Sequence, residues 1–151
     1  MSDLRELYRD LIVDHGRKPR NFGKLEGANR KATGYNPLCG DRITVYLEVE
    51  DDVVREIRFD GVCCGIATAS ASLMTENCKG KTCAELEALF EVYLGFLTGG
   101  EPAEAAPLGD LTAFSGLKSF PLRVECAAIP WHTLRAALRG EDLASRSGDA
   151  A

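Results

Sequence analysis

The chain holds 151 residues, with 18 Lys+Arg against 23 Asp+Glu for a net charge of −5, 45% hydrophobic residues, six cysteines and two histidines. That length predicts one domain over 1–151 with a core large enough to fold without disulfide staples, which leaves the cysteines free for chemistry. The acidic balance excludes a nucleic-acid partner, because phosphate neutralisation needs a basic surface, and it is too mild to suggest disorder.

Met1 to Asn21 carry a charge every two or three positions, so no apolar run there has the form of a secretory signal. No stretch approaches the roughly 18 apolar residues of a membrane span, and the chain reads as having no membrane partner and as cytoplasmic. Leu4, Leu7, Tyr8, Leu11 and Ile12 recur with helical period behind Ser2 or Asp3 as N-cap, which predicts a helix over 2–15 stopping near His15-Gly16. The stretch from Arg17 to Lys31, with Pro19, Gly23 and Gly27, predicts an extended surface connection. Its basic run Arg17-Lys18-Pro19-Arg20 reads either as a solvated loop or as a docking patch for an acidic partner.

Ile43, Val45, Leu47 and Val49 alternate with polar residues, and after an acidic turn at Asp51-Asp52 apolar and charged residues interleave to Phe59. This predicts a half-buried β-hairpin over 43–60, with a third strand over Lys31–Tyr35 weakened by Gly34. From Cys64 the Ala- and Ser-rich texture predicts a tightly packed helix, the start of a helical part running over 64–140. Thr82 caps the next helix, whose apolar face is Leu86, Leu89, Phe90, Tyr93 and Leu97 and which Gly99-Gly100 ends. Glu101 to Gly116 reads as a loop with at most one short helix at Asp110 to Phe114. Pro121 suits position N1 of a last helix, which Pro130 interrupts or kinks before it resumes to Gly140. The tail over 145–151 is expected to fray.

The cysteines at 39, 63, 64, 78, 83 and 126 match no local zinc-finger spacing, so a metal site has to be assembled from distant segments. In a reducing compartment they read as ligands, a nucleophile or buried spectators rather than as disulfides. Cys39 and Asp41 stand two apart at the mouth of the first hairpin strand, where extended geometry turns both side chains the same way. A hairpin brings the start of its first strand beside the end of its second, so Cys39, Asp41 and Cys64 converge on one edge. Cys64 at a helix N-terminus is favoured as a thiolate. Cys126 would complete three thiolates and one carboxylate, a donor set that suits tetrahedral zinc. Cys78 and Cys83 are expected to be spectators, His132 a surface residue and His15 a helix-capping residue.

The strings NPLCGDR (Asn36 to Arg42), FDGVCCGIATASASLMT (Phe59 to Thr75) and LGDLTAFSGLKSFPLRVECA (Leu108 to Ala127), with LYRDLIVDHGRKPRNFG at the front, resemble the SufU branch of the IscU and NifU N-terminal iron–sulfur cluster assembly family. The resemblance runs from about Leu4 to Leu138. Two features place it nearer SufU than the IscU scaffolds: Glu125, not histidine, precedes Cys126, and Cys64 and Cys126 stand 62 positions apart, consistent with an insertion ahead of the third cysteine. The resemblance implies an α+β fold, a small antiparallel sheet of about three strands packed with several helices. It implies zinc on Cys39, Asp41, Cys64 and Cys126, and Cys39 as acceptor of persulfide sulfur from a SufS-type cysteine desulfurase, feeding downstream iron–sulfur assembly machinery. The alternatives are an IscU-like scaffold on which an iron–sulfur cluster is built from the same residues, and a purely structural zinc module. The chain departs from the family pattern at Cys63, where a glycine is usual, and at Glu125, where a basic residue is common. Lys118 and Arg123, with the Arg17 to Arg20 run, are candidate partner contacts.

Overall fold

The structure, a computed structural model, describes residues 4–98, 106–141 and 143–144; the side chains of 4, 5, 106, 107, 143 and 144 are not described. Ile43, Val45 and Leu47 are fully buried while Thr44, Tyr46 and Glu48 between them are half-buried, and this period of two makes strands. Strand β1 spans Arg30–Asn36, β2 Asp41–Glu50 and β3 Val53–Val62. They form an antiparallel meander, with β2 central. Asp51 and Asp52 both adopt left-handed φ (53° and 67°), the twist that a two-residue hairpin loop requires. A two-residue strand β4, Leu143–Ala144, which the sequence pattern does not reveal, adds parallel to the outer side of β1. The 145–151 tail lies outside the described residues.

The strands extend past the expected hairpin at both ends, and β1 forms in spite of Gly34. The glycine is used by the packing: a Cβ there would collide with Thr133 Oγ1 of the last helix, so its absence lets helix and strand backbones close up.

Helix α1 spans Leu4–Arg17, α2 Gly65–Cys78, α3 Cys83–Leu97 and α4 Pro121–Leu138. Thr82 caps α3 in a reciprocal box, accepting from the Glu85 N–H while the Glu85 carboxylate accepts from the Thr82 N–H. Thr98 is the C-cap; Gly99 and Gly100, expected to end the helix, lie outside the described residues. Where a loop with one short helix was expected, Ala106–Ser119 winds as 3-10 turns broken at Gly109 (φ 51°). Leu108, Leu111 and Phe114 anchor it in the core, which is what holds so long a 3-10 stretch in place. Pro130 does not interrupt α4. Only the Cys126 carbonyl, four residues earlier, loses its helical donor, and the buried residues on either side hold the helix together.

Ala67, Ala69, Ala71, Leu73 and Met74 of α2 are fully buried, packed into one core with the inner face of the sheet, α3 and α4. Small side chains there let α2 run close to its neighbours. That closeness brings the N-termini of α2 and α4 to the same edge as the β1–β2 turn.

Candidate metal centre

Asn36 ends β1 and Asp41 begins β2 directly opposite it, so Pro37 to Gly40 must reverse the chain. The Cys39 and Gly40 N–H groups donate to the Asn36 carbonyl (3.3 and 2.8 Å), the Leu38 N–H donates to Asn36 Oδ1 (3.1 Å), and Gly40 supplies the left-handed φ of 77°. Cys39 is therefore on an exposed turn and not in extended geometry with Asp41, which corrects the expectation from the two-residue spacing. Tertiary folding brings the two together all the same.

Asp41 is 2% exposed. The β2–β3 register pairs Arg42 with Val62, so the start of β2 lies beside the end of β3, as the hairpin argument requires. Asp41 Oδ1 accepts from the Cys64 N–H at 2.8 Å and Oδ2 lies 3.7 Å from Cys64 Sγ. Cys64 is the N-cap of α2, its sulfur accepting from the Ala67 N–H at 3.4 Å. Cys126, in the second turn of α4, is 5% exposed with its Sγ 3.0 Å from Cys39 Sγ. The ligand atoms of Cys39, Asp41 and Cys126 all lie within 4.8 Å of one another. Cys64 stands outside that triplet but touches it through Asp41, and its sulfur is close enough to act on the Cys126 thiol. Burial, then the neighbouring Cys39 and Cys64 sulfurs, push the Cys126 thiol far above the usual range.

Three soft sulfurs and a carboxylate fit zinc, whose Zn–S bonds of about 2.3 Å set tetrahedral ligand atoms roughly 4 Å apart. Cys39 and Cys126, with sulfurs 3.0 Å apart, would have to part slightly to reach that spacing, and Cys64 Sγ already stands 3.7 Å from Asp41 Oδ2. Such a cation would reverse the titration logic of Cys126 and make the thiolate the favoured form.

Cys63 is turned away: its sulfur donates weakly to the Arg42 carbonyl at 3.5 Å, and burial, then Asp41 and Cys64, push its thiol up to about 12. Cys78 is fully buried at the end of α2 and Cys83 half-buried at the start of α3, and burial raises both thiols.

Both histidines depart from expectation. His132 is 4% exposed, edge-on to Phe90 at 5.3 Å, and burial lowers it to about 4. The expected surface position fails because α4 is covered on nearly every side. His15, 3% exposed, is not a cap: its Nδ1 meets Ser72 Oγ at 2.7 Å, and that hydroxyl also accepts the Arg20 N–H at 2.8 Å. The Arg20 guanidinium donates to Asp14 (2.7 Å), so the basic run is pinned on α1 and α2 rather than loose. Sequence reasoning also passed over Asn36 as the builder of the Cys39 turn; an Asn-Pro dipeptide, a known turn initiator, was the available signal.

Residues 7–138 match the model of the NifU-like N terminal domain. The chain belongs to that family. Among relatives of the NifU-like domain is the zinc-dependent sulfurtransferase SufU of Bacillus subtilis, 35% identical over 93% of this chain and 95% of that protein. The iron–sulfur cluster assembly scaffold protein IscU of Thermotoga maritima is 38% identical over 90% of this chain and 95% of its own. A crystal structure from Fervidobacterium islandicum, described as a cluster assembly scaffold protein for the SUF system, superposes with a TM-score of 0.83, covering 90% of this chain and 99% of that one at 32% identity. The α+β fold and the role of the family in iron–sulfur cluster assembly are thus shared, and SufU-type and IscU-type relatives are about equally similar. No helix among the described residues is long and apolar enough to cross a membrane.

Proposed function

We propose that this chain is a cytoplasmic zinc-dependent sulfurtransferase of iron–sulfur cluster assembly, with Cys39, Asp41, Cys64 and Cys126 as metal ligands and Cys39 as acceptor of sulfur from a SufS-type cysteine desulfurase. The observation that carries this reading is the inequality of the cluster. Asp41 and Cys126 are buried and anchored on regular elements, whereas Cys39 is exposed on a turn. A site built that way keeps its inner ligands while the outer thiol meets a partner.

Bound zinc supplies a positive charge that holds the ligand sulfurs as thiolates at neutral pH. Cys39 Sγ attacks the outer sulfur of the desulfurase persulfide. A new S–S bond forms on Cys39, the partner's S–S bond breaks, and the partner's own sulfur departs as a thiolate, so one thiolate is consumed and one released. Because the turn, not a strand, carries Cys39, the thiol moves outward without disturbing the sheet. Large apolar side chains lie exposed beside the site segments: Leu38, Val62, Phe120 and Leu122. The Arg123 guanidinium lies 4.9 Å over the Phe120 ring. An apolar rim with a basic edge suits a protein partner. Sulfur then leaves Cys39 for the downstream assembly machinery.

The test is incubation of zinc-loaded protein with a SufS-type desulfurase and cysteine, followed by peptide mass mapping. The sulfane sulfur should appear on Cys39, and Cys39→Ala should lose stimulation of the desulfurase; full stimulation by Cys39→Ala sinks the assignment. The IscU-type relatives favour a second reading, in which the same ligands receive a cluster as cargo. Brown, sulfide-containing protein as purified supports the scaffold, and colourless protein with stoichiometric zinc supports the transferase.

A further inference from the structure

Asn36 is fully buried and organises the turn that bears Cys39: its carbonyl accepts from Cys39 and Gly40, and its Oδ1 accepts from Leu38. A backbone N–H needs an oxygen acceptor, so the orientation of the amide is set and Nδ2 is its other atom. That Nδ2 is buried and has no hydrogen-bond partner. Among the described residues two further buried side-chain nitrogens lack one, Trp131 Nε1 and His132 Nε2, and those belong to the aromatic packing of α4 against Tyr93 and Phe90. A buried amide donor left unpaired is uncommon and costly. It is, moreover, the cross-strand partner of Asp41 and the first residue of a turn whose fourth is Cys39.

We propose that Asn36 Nδ2 is the hydrogen-bond donor to the sulfane sulfur carried on Cys39, an inference that rests on the sulfurtransferase reading. A reverse turn keeps its first and fourth residues within about 7 Å, and one added sulfur lengthens the Cys39 side chain by about 2 Å. The persulfide terminus is an anion at neutral pH, and an N–H bond to an ionised acceptor is stronger than one to a neutral thiol. The donor therefore finds its acceptor after transfer and holds the sulfur, without itself forming or breaking a covalent bond.

The experiment loads metal-bound protein chemically with inorganic polysulfide and follows loss of sulfur from Cys39 to a thiol reductant by peptide mass mapping. Asn36→Ser and Asn36→Asp both keep an oxygen for the Leu38 N–H and remove the donor. They should lose sulfur roughly tenfold faster than the parent or more. The parent protein offers a second readout that needs no variant: the Asn36 side-chain amide proton resonance should move downfield when Cys39 is loaded. Sulfur lifetimes in both variants equal to that of the parent, or an amide resonance that does not move, overturn the proposal. If polysulfide loads Cys39 but a desulfurase does not, the transferase reading fails while the lifetime comparison still decides the role of Asn36.

Discussion

Burial inverts the ordinary chemistry of several single residues here. His132 is enclosed against Phe90 and held neutral, with a folded pKa of about 4 against a usual 6.5. The Arg135 guanidinium, 4.2 Å over the same Phe90 ring, also disfavours its protonation, while Glu125 favours it more weakly. His15 is lowered too, by burial and then by Arg20. A base whose folded pKa is depressed binds more protons when unfolded, so its stabilisation is complete above the unfolded value and is lost as pH falls towards the folded one. Metal-free protein should therefore lose stability between about pH 6.5 and pH 4, with His132 contributing roughly 2 to 3 kcal/mol. Denaturant titrations across that range check this, and His132→Gln should flatten the slope. An unchanged slope in the variant contradicts the assignment.

The elements owe their positions to a few contacts that amino-acid pattern underdetermines. Gly34 admits α4 against β1, and Thr133, whose hydroxyl donates to the Ile129 carbonyl at 2.8 Å, occupies the space a Cβ would need. Gly34→Ala should cost about 1 to 3 kcal/mol in a chemical unfolding experiment. Gly34→Ala with Thr133→Ala should recover part of that cost, because the two residues share one contact. Zinc affinity should fall with the single substitution, since Cys126 rides on the same helix. Elements with a strong local signal matched their sequence expectation. The alternation through Ile43, Val45 and Leu47, Thr82 as the N-cap of α3 and Pro121 at the first position of α4 all encode local geometry in a few adjacent residues. Gly34 and Pro130 were read as weak points because their local effect is unfavourable. The neighbours that make them tolerable come from elsewhere in the chain.

Across the molecule, the candidate metal site joins the β1–β2 turn, the start of β2, the N-terminus of α2 and the second turn of α4. A cation there cross-links the sheet edge to two helices, so it should stabilise the folded state by several kcal/mol when its concentration far exceeds its dissociation constant. Thermal unfolding with and without a chelator measures this: the melting temperature should drop on chelation, and Asp41→Ala should shrink the drop. A melting curve indifferent to chelator contradicts the four-ligand reading.

The amino-acid sequence suffices for the α+β class, most element positions, the family and the candidate ligands Cys39, Asp41, Cys64 and Cys126, because periodicity, caps and signature strings are local. Contacts between distant segments determined the rest. Cys39 and Cys126 are 87 positions apart and 3.0 Å apart in space, and only the packing of α4 on the sheet makes that so. The same packing buries His132, exposes Cys39 on a turn and leaves Asn36 Nδ2 without a partner. Burial and approach are properties of pairs of surfaces, and one segment of sequence specifies only its own half of each pair.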